Sequence, residues 1–364
     1  LKYLRTEGNA VSNIYNHVFF DECQDLSENQ FLILQEFYKA GSYISVIGDP
    51  NQNIYSFRGS EIKYILNLDQ YFKNLSTYTL KNNYRSTPEI ISLANSSIHY
   101  NKDKFLNKMI PNKPSINFKP QIRYYENIFM QSNSIIKKIL ELNEQGVEFE
   151  EIAILCRVNQ PLKFLEEAIE RHNSKSDSQI KYIALINDDS DNKPKIKEGH
   201  VTLTTIHKSK GLEFSCVFLI DINDTRFPSE VDSTTIQEER RLFYVAITRA
   251  KTHLYMSFCG DKGKMPVKIT RFIQELDMNL YDFVNFDKKF YSYDDYRNIK
   301  WVTGVTETLK LLNETDIGKL RDGGILPTKD PIIKKLHGKY EFNNFIQLYF
   351  LFSDFGEFID RWIS

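Results

Sequence analysis

Val18-Phe19-Phe20-Asp21-Glu22-Cys23-Gln24-Asp25 joins a short apolar run to a cluster of three carboxylates. The apolar run reads as a buried strand, and the acids fall at its C-terminal end. Adjacent carboxylates at a sheet edge place fixed negative charge where a hydrated Mg²⁺ and a water molecule can be held beside a nucleotide. The same pair also occurs in solvated turns, so Asp21 and Glu22 take their meaning from what lies elsewhere in the chain.

Outward from this stretch, short apolar strands alternate with longer amphipathic segments from residue 14 to about 260, the pattern of βα units around a largely parallel sheet. Strands are expected at 17–20, 43–47, 76–80, 152–156, 201–205, 215–221 and 252–259. Helical periodicity is expected over 27–39, 61–68, 88–98, 131–143, 161–171 and 237–250. In the last of these Phe243, Ala246, Ile247 and Ala250 share one apolar face, and Arg249 is expected to point away from it. The polar stretches 107–120 and 172–199 read as linkers or exposed loops, and the character becomes aromatic-rich after about residue 278.

Composition sets bounds on function. With 364 residues, 41% hydrophobic and 26% charged, the chain has material for two or three globular cores. A net charge of −1 supplies no basic field over the whole surface, so any nucleic-acid contact must be a local groove. Cys23, Cys156, Cys216 and Cys259 lie far apart, in neither disulfide nor zinc spacing, and read as reduced core residues. No segment reaches the roughly 18 apolar residues that span a bilayer, so no membrane partner is expected and an intracellular compartment, cytoplasmic or nuclear, is the default.

Four further strings carry chemistry. Gly48-Asp49-Pro50-Asn51-Gln52-Asn53-Ile54-Tyr55-Ser56-Phe57-Arg58-Gly59 follows the second strand, offering a polar amide for a phosphate and then aromatic surfaces on which bases can stack. Asn82-Asn83-Tyr84-Arg85-Ser86-Thr87 sets a planar ring beside a guanidinium ahead of a proline-initiated helix. Thr204-Thr205-Ile206-His207-Lys208-Ser209-Lys210-Gly211-Leu212-Glu213-Phe214 breaks a strand into a loop suited to gripping phosphodiester while a glutamate meets a sugar hydroxyl. Glu238-Glu239-Arg240-Arg241-Leu242-Phe243-Tyr244-Val245-Ala246-Ile247-Thr248-Arg249-Ala250 is a helix whose arginines off the core face can reach a γ-phosphate. Taken singly, each also reads as a loop or a surface ion-pair pattern.

Taken in order, these strings and the opening carboxylates resemble motifs II to VI of superfamily 1 helicases of the UvrD/Rep/PcrA group, over roughly residues 14–278. The resemblance implies an α/β fold of tandem RecA-like P-loop NTPase domains. It places the C-terminal part of the first domain at 1–83 and the second domain at 84–278, with a much reduced insertion near 172–199, and leaves 279–364 as a C-terminal region of unknown role. It implies an ATP-dependent helicase or translocase moving 3′→5′ on single-stranded or partly duplex DNA. Asp21 would bind Mg²⁺, Glu22 activate the attacking water and Gln52 sense the γ-phosphate of ATP. Tyr84 would stack on adenine, Glu213 beside Gly211 meet the ribose, and Arg85 and Arg249 approach the γ-phosphate. Tyr55, Phe57, Arg58 and His207 resemble residues of the single-strand track, with Phe57 where the family often has tryptophan.

One element of the family pattern is missing. The Gly-Lys pairs Gly263-Lys264, Gly318-Lys319 and Gly338-Lys339 each lack a glycine five positions earlier and a following Ser or Thr, so no G-x-x-x-x-G-K-[ST] loop is present. In the family that loop lies upstream of the carboxylates. Upstream sequence, or a second polypeptide bringing the loop, is therefore expected, and these residues alone are expected to hydrolyse ATP poorly. The competing reading is a non-catalytic single-strand-binding or assembly subunit.

Overall fold

The computed structural model describes residues 15–102, 108–185, 195–224, 226–228, 233–260 and 269–284. Expectations for the remaining positions, including those for 285–364, lie outside the described residues.

Two parallel strands open the fold, β1 (His17–Phe20) and β2 (Tyr43–Val46), joined by α1 (Glu28–Lys39) and followed by two single-turn helices, α2 (Lys63–Leu66) and α3 (Leu68–Tyr71). The register pairs Val18 with Ile44 and Phe20 with Val46, which turns those four side chains onto a core of Cys23, Leu26, Phe31, Leu34, Tyr64 and Phe72. Ser27 and Gln30 close a capping box at the start of α1, so that helix begins where the carboxylate segment ends. The helix expected over 61–68 is broken at Asn67, whose backbone leaves the helical region and ends α2.

A second and larger sheet follows. β3 (Asn82–Asn83) pairs with β4 (Ile110–Pro111), and α4 (Pro88–His99) lies between them. Next come β5 (Gln121–Tyr125), α5 (Ile128–Glu144), β6 (Ile152–Cys156), α6 (Gln160–Asn173), β7 (Tyr182–Ala184), β8 (Val201–Thr205), β9 (Phe214–Leu219), α7 (Ser233–Ile247), β10 (Ala250–Cys259), α8 (Arg271–Gln274) and the short edge strand β11 (Asp282–Phe283). The seven strands are ordered β11-β5-β10-β9-β6-β8-β7, and every pairing from β5 to β7 is parallel. β6 is buried at all five positions, as a parallel strand covered on both faces must be. On one face Ile154, Leu203 and Phe218 pack with Ile135, Ile139, Leu165 and Ile169 from α5 and α6. The register of β10 against β9 slips between Ala250 and His253, a bulge at the start of the strand.

Three expectations change. Residues 76–80 run outside any sheet, and the pairing falls at Asn82–Asn83 instead. Gln121–Tyr125 and Tyr182–Ala184 are strands that the sequence reading did not place, the second within the stretch read as exposed loop. Arg249 does not leave the apolar face for solvent: it is 1% exposed, and Ala250, expected in the helix, opens β10. The four cysteines are free and buried, as expected, and burial pushes the Cys23 thiol up to about 12. No described helix is long and apolar enough to cross a membrane.

Because Ile154 is fully buried at the centre of the large sheet, Ile154→Ala is expected to lower stability by about 2–5 kcal/mol, read as a shift of the urea midpoint with unchanged slope.

Candidate functional site

The C-terminal ends of β1 and β2 meet at the carboxylates. Cys23 N–H donates to the Ile47 carbonyl at 2.8 Å, which ties the segment after β1 to the end of β2. Glu22 takes the left-handed region at φ 54°, turning the chain sharply and leaving its side chain exposed. Gln24 lies buried beneath it, donating to the Glu22 carboxylate and accepting from Asp49 N–H at 3.0 Å. A Cβ at Gly48 would stand 2.5 Å from Gln24 Oε1, so glycine is required there for space. Asp49 accepts from Asn51 N–H and from the Gln52 amide, both at 2.9 Å, so the predicted phosphate sensor Gln52 is held on this turn. Burial raises the Asp49 carboxyl, and these two donors together with Tyr244 on α7 offset part of that rise.

Into this cluster comes Lys210, from the loop after β8 and 185 residues away in sequence. Its ammonium lies 2.5 Å from Asp25 Oδ2, 3.5 Å from Glu22 Oε2 and 3.0 Å from the Gln52 carbonyl, and 5.2 Å from the centre of the Tyr55 ring. Burial raises the Asp25 carboxyl and Lys210 works against that rise. The sequence reading saw Lys210 only as one of two basic loop residues. No local pattern records the pairing, because Lys210 and Asp25 lie 185 residues apart.

Asp21 is exposed, and its Oδ1 accepts the Glu22 N–H at 2.9 Å. Among the described residues no basic side chain pairs with Asp21. One free carboxylate beside a second acid fits Mg²⁺, which is commonly held by one or two carboxylates together with substrate phosphate oxygens and water.

A second cluster surrounds Glu213. Arg85 Nε lies 2.6 Å from one of its oxygens and Lys251 Nζ 3.1 Å from the other. Burial pushes the Glu213 carboxyl up, but Lys251 and Arg85 outweigh it and leave it below the ordinary value. The chain reaches Glu213 through Gly211, at φ 86°, a turn that favours glycine. Asn83 Oδ1 accepts from Arg85 N–H and Ser86 N–H, while Ser86 Oγ donates to the Ala250 carbonyl at 2.6 Å, which fixes the loop of Tyr84 and Arg85 on the start of β10. Tyr84 is exposed beside it. Arg249 donates to the carbonyls of Val245 at 3.1 Å and Leu212 at 2.9 Å, so its guanidinium satisfies the end of α7 and the Glu213 turn together. Burial, with Arg85 nearby, lowers it to about 10, and it remains charged at neutral pH.

The predicted track residues also come together. Tyr55 donates to the His207 carbonyl at 3.1 Å, and the Phe57 ring stands edge-on to His207 at 5.6 Å. The Arg58 guanidinium lies 5.4 Å from the Tyr55 ring centre and 5.8 Å from that of Phe57. Ser56 bonds Glu238 on α7 through its backbone N–H, at 3.2 Å, and through its hydroxyl. Phe57 is exposed, Tyr55 and His207 are half-buried, and an open groove of about 430 Å³ runs past Tyr55 and Arg58 to Asp25. Burial, then Arg157 and Arg58, lower the His207 imidazole to about 4, so it is neutral at pH 7.

Residues from five strings spread over more than two hundred positions thus contact one another. The model of the UvrD-like helicase C-terminal domain matches residues 78–185 and 175–261, and that of the UvrD/REP helicase N-terminal domain matches residues 4–73. The chain belongs to the UvrD-like helicases. It is 24% identical over 450 residues to a probable DNA helicase II homolog of Mycoplasma capricolum, covering 79% of this chain and 62% of that protein. It is 24% identical over 350 residues to the ATP-dependent DNA helicase UvrD2 of Mycobacterium tuberculosis, covering 71% of this chain and 50% of that one. It is 29% identical over 168 residues to the ATP-dependent DNA helicase PcrA of Staphylococcus epidermidis, covering 44% of this chain and 22% of that one. The chain spans about half the length of the curated relatives it matches.

Removing the Lys210 charge leaves Asp25 half-buried without its cation, so Lys210→Met is expected to cost on the order of 2 kcal/mol in urea unfolding. His207 binds a proton at about 4 when folded and near the ordinary imidazole value of about 6.5 when unfolded. As the pH falls from 6.5 towards 4 the unfolded chain takes up a proton that the folded one does not, so stability is lost in that window and is unaffected by this residue above it. His207→Gln is expected to remove that part of the slope when urea midpoints of the two proteins are compared across pH 4–7.

Proposed function

We propose that these residues belong to an ATP-dependent DNA helicase or translocase that moves 3′→5′ on single-stranded DNA and couples ATP hydrolysis to strand separation. The observation that carries this reading is the reach of Lys210 from the loop after β8 to Asp25, Glu22 and the Gln52 carbonyl, which sets the carboxylate end of β1 against the second sheet. The reading takes 1–83 as part of a first RecA-like domain, 84–278 as a second with a reduced insertion near 172–199, and 279–364 as a further region. Support for the DNA substrate comes from the names of the relatives and from the Tyr55, Phe57, Arg58 and His207 cluster; polarity follows the family resemblance alone.

In this reading ATP lies between the two clusters. Asp21 would hold Mg²⁺, which when bound neutralises phosphate charge. Glu22 takes a proton from the attacking water, and Gln52 reports the γ-phosphate through the turn it shares with Asp49. Arg85 and Arg249, oriented by Glu213 and by backbone carbonyls, stabilise charge on the transferring phosphoryl group. Tyr84 stacks on adenine, and Glu213, set by the Gly211 turn, accepts from the ribose. Bases stack on Tyr55 and Phe57 beside Arg58, and His207 stays neutral there. Residues 1–364 contain no phosphate-binding loop, so turnover requires one joined to them or brought by a second polypeptide.

The test is DNA-stimulated ATPase of the protein carrying such a loop. Glu22→Gln is expected to lower kcat by about 10²–10⁴ and Arg249→Lys by about 10³, with single-strand affinity kept. Absence of ATPase in the loop-bearing protein, or full activity in both variants, would sink the catalytic reading and leave the single-strand-binding subunit.

A further inference from the structure

The single turn Ser56–Arg58 carries three exposed side chains, and an acid is seated against the first of them. Glu238 on α7 accepts from the Ser56 backbone N–H at 3.2 Å through one oxygen and from the Ser56 hydroxyl through the other. An amide and a hydroxyl converging on one anion are a donor set that proteins offer to a phosphodiester, and a carboxylate fits it because both anions present paired oxygens. Among the described residues no lysine or arginine pairs with Glu238, so these two donors hold its charge. Arg58, two residues along the same turn, lies against the Tyr55 and Phe57 rings and pairs with no carboxylate among the described residues. A fixed negative charge beside rings that suit bases repels a polyanion and weakens the binding that the rings favour. The helix is anchored independently of this contact. Glu239, one residue on, is 5% exposed and takes Arg157 Nε at 2.9 Å and Nη2 at 2.7 Å. Rotation of the Glu238 side chain alone is therefore enough to release both Ser56 donors.

We propose that the Ser56 N–H and hydroxyl form a phosphodiester subsite for single-stranded DNA, and that the Glu238 carboxylate occupies it as an internal stand-in for phosphate until a strand displaces it. A base stacked on Phe57 brings its backbone past the neighbouring Ser56, with the Arg58 charge on the same turn. The carboxylate sets a threshold. A strand that engages rings and donors together displaces it more readily than a small anion that engages the donors alone. This subsite rests on the reading of Tyr55, Phe57, Arg58 and His207 as a strand track, and adds to that track a backbone contact and its built-in competitor.

The full chain is titrated with a fluorescent oligothymidylate of about 16 nucleotides at fixed salt and without ATP. Glu238→Gln is expected to tighten binding about fivefold, the factor gained when a subsite about four-fifths occupied by its competitor becomes free. Glu144→Gln, which removes the same charge at the exposed end of α5, is expected to leave affinity unchanged. Ser56→Ala removes a donor that carboxylate and phosphate share. Added to Glu238→Gln it is expected to loosen binding about fivefold, and in its presence the gain from Glu238→Gln is expected to fall below about twofold. Unchanged or weaker binding by Glu238→Gln, the result for a contact that only clamps α7 to the loop, overturns the proposal. So does a gain that persists undiminished with Ser56→Ala, or one matched by Glu144→Gln, since each reports general charge repulsion. Failure of every variant to bind the oligothymidylate removes the DNA reading and the subsite together; binding that does not respond to Glu238→Gln removes the subsite alone.

Discussion

The half-buried ammonium of Lys210 is the constraint on which the site depends. An ammonium drawn out of water needs anionic or carbonyl oxygen around it, and here Asp25, Glu22 and the Gln52 carbonyl supply it. Asp25, pushed towards its neutral form by burial, keeps its charge more readily because of the same cation. The tie joins the end of β1 to the loop after β8, and hence one sheet to the other. It also lies under the Tyr55 ring, so the aromatic cluster and the carboxylates share one residue. The Tyr55 bond to the His207 carbonyl and the Ser56 bonds to Glu238 add to the same join.

The arginines are held in a different way. Arg85 faces a carboxylate at 2.6 Å, whereas Arg249 is bound by the carbonyls of Val245 and Leu212. A guanidinium offers five donors in a rigid fork, so it can fasten a helix end and a neighbouring turn at once without losing its charge. Arg249 is therefore placed by backbone geometry, which does not depend on whether a substrate is present. Glu213 receives Lys251 as well as Arg85, and that doubled pairing keeps its carboxyl ionised despite burial.

Much of this was legible in the sequence. The motif strings could be read because each is local: the strand, the turn after it and the polar residues at its tip lie within a dozen positions. β6 was equally plain, because a parallel strand buried on both faces is a continuous apolar run, and β8 was marked by Val201 and Leu203 among β-branched threonines. β5 was missed because Gln121, Arg123 and two tyrosines look polar in isolation, although the sheet buries Arg123 and both rings. β7 was missed because three half-buried residues give no periodicity to read. Residues 76–80 carry strand composition and lack strand pairing, which shows that composition describes a side chain's preference and not the presence of a neighbour. The Lys210 contacts and the burial of Arg249 depend on segments far apart in the chain, and no local pattern records them.

The bulge at the start of β10 fastens the loop of Tyr84 and Arg85 to the strand that follows Arg249. By slipping the register between Ala250 and His253 it takes Lys251 out of the regular ladder. The Lys251 carbonyl then accepts from Thr87 N–H at 3.0 Å, where α4 begins, while its side chain reaches Glu213. Ala250, one residue earlier, receives the Ser86 hydroxyl. The loop bearing Tyr84 and Arg85 is thus bolted to the same strand end that follows Arg249. Arg85 and Arg249 thus hang from a common anchor, the one through the Ser86 and Thr87 bonds to the start of β10 and the other as the residue directly before that strand.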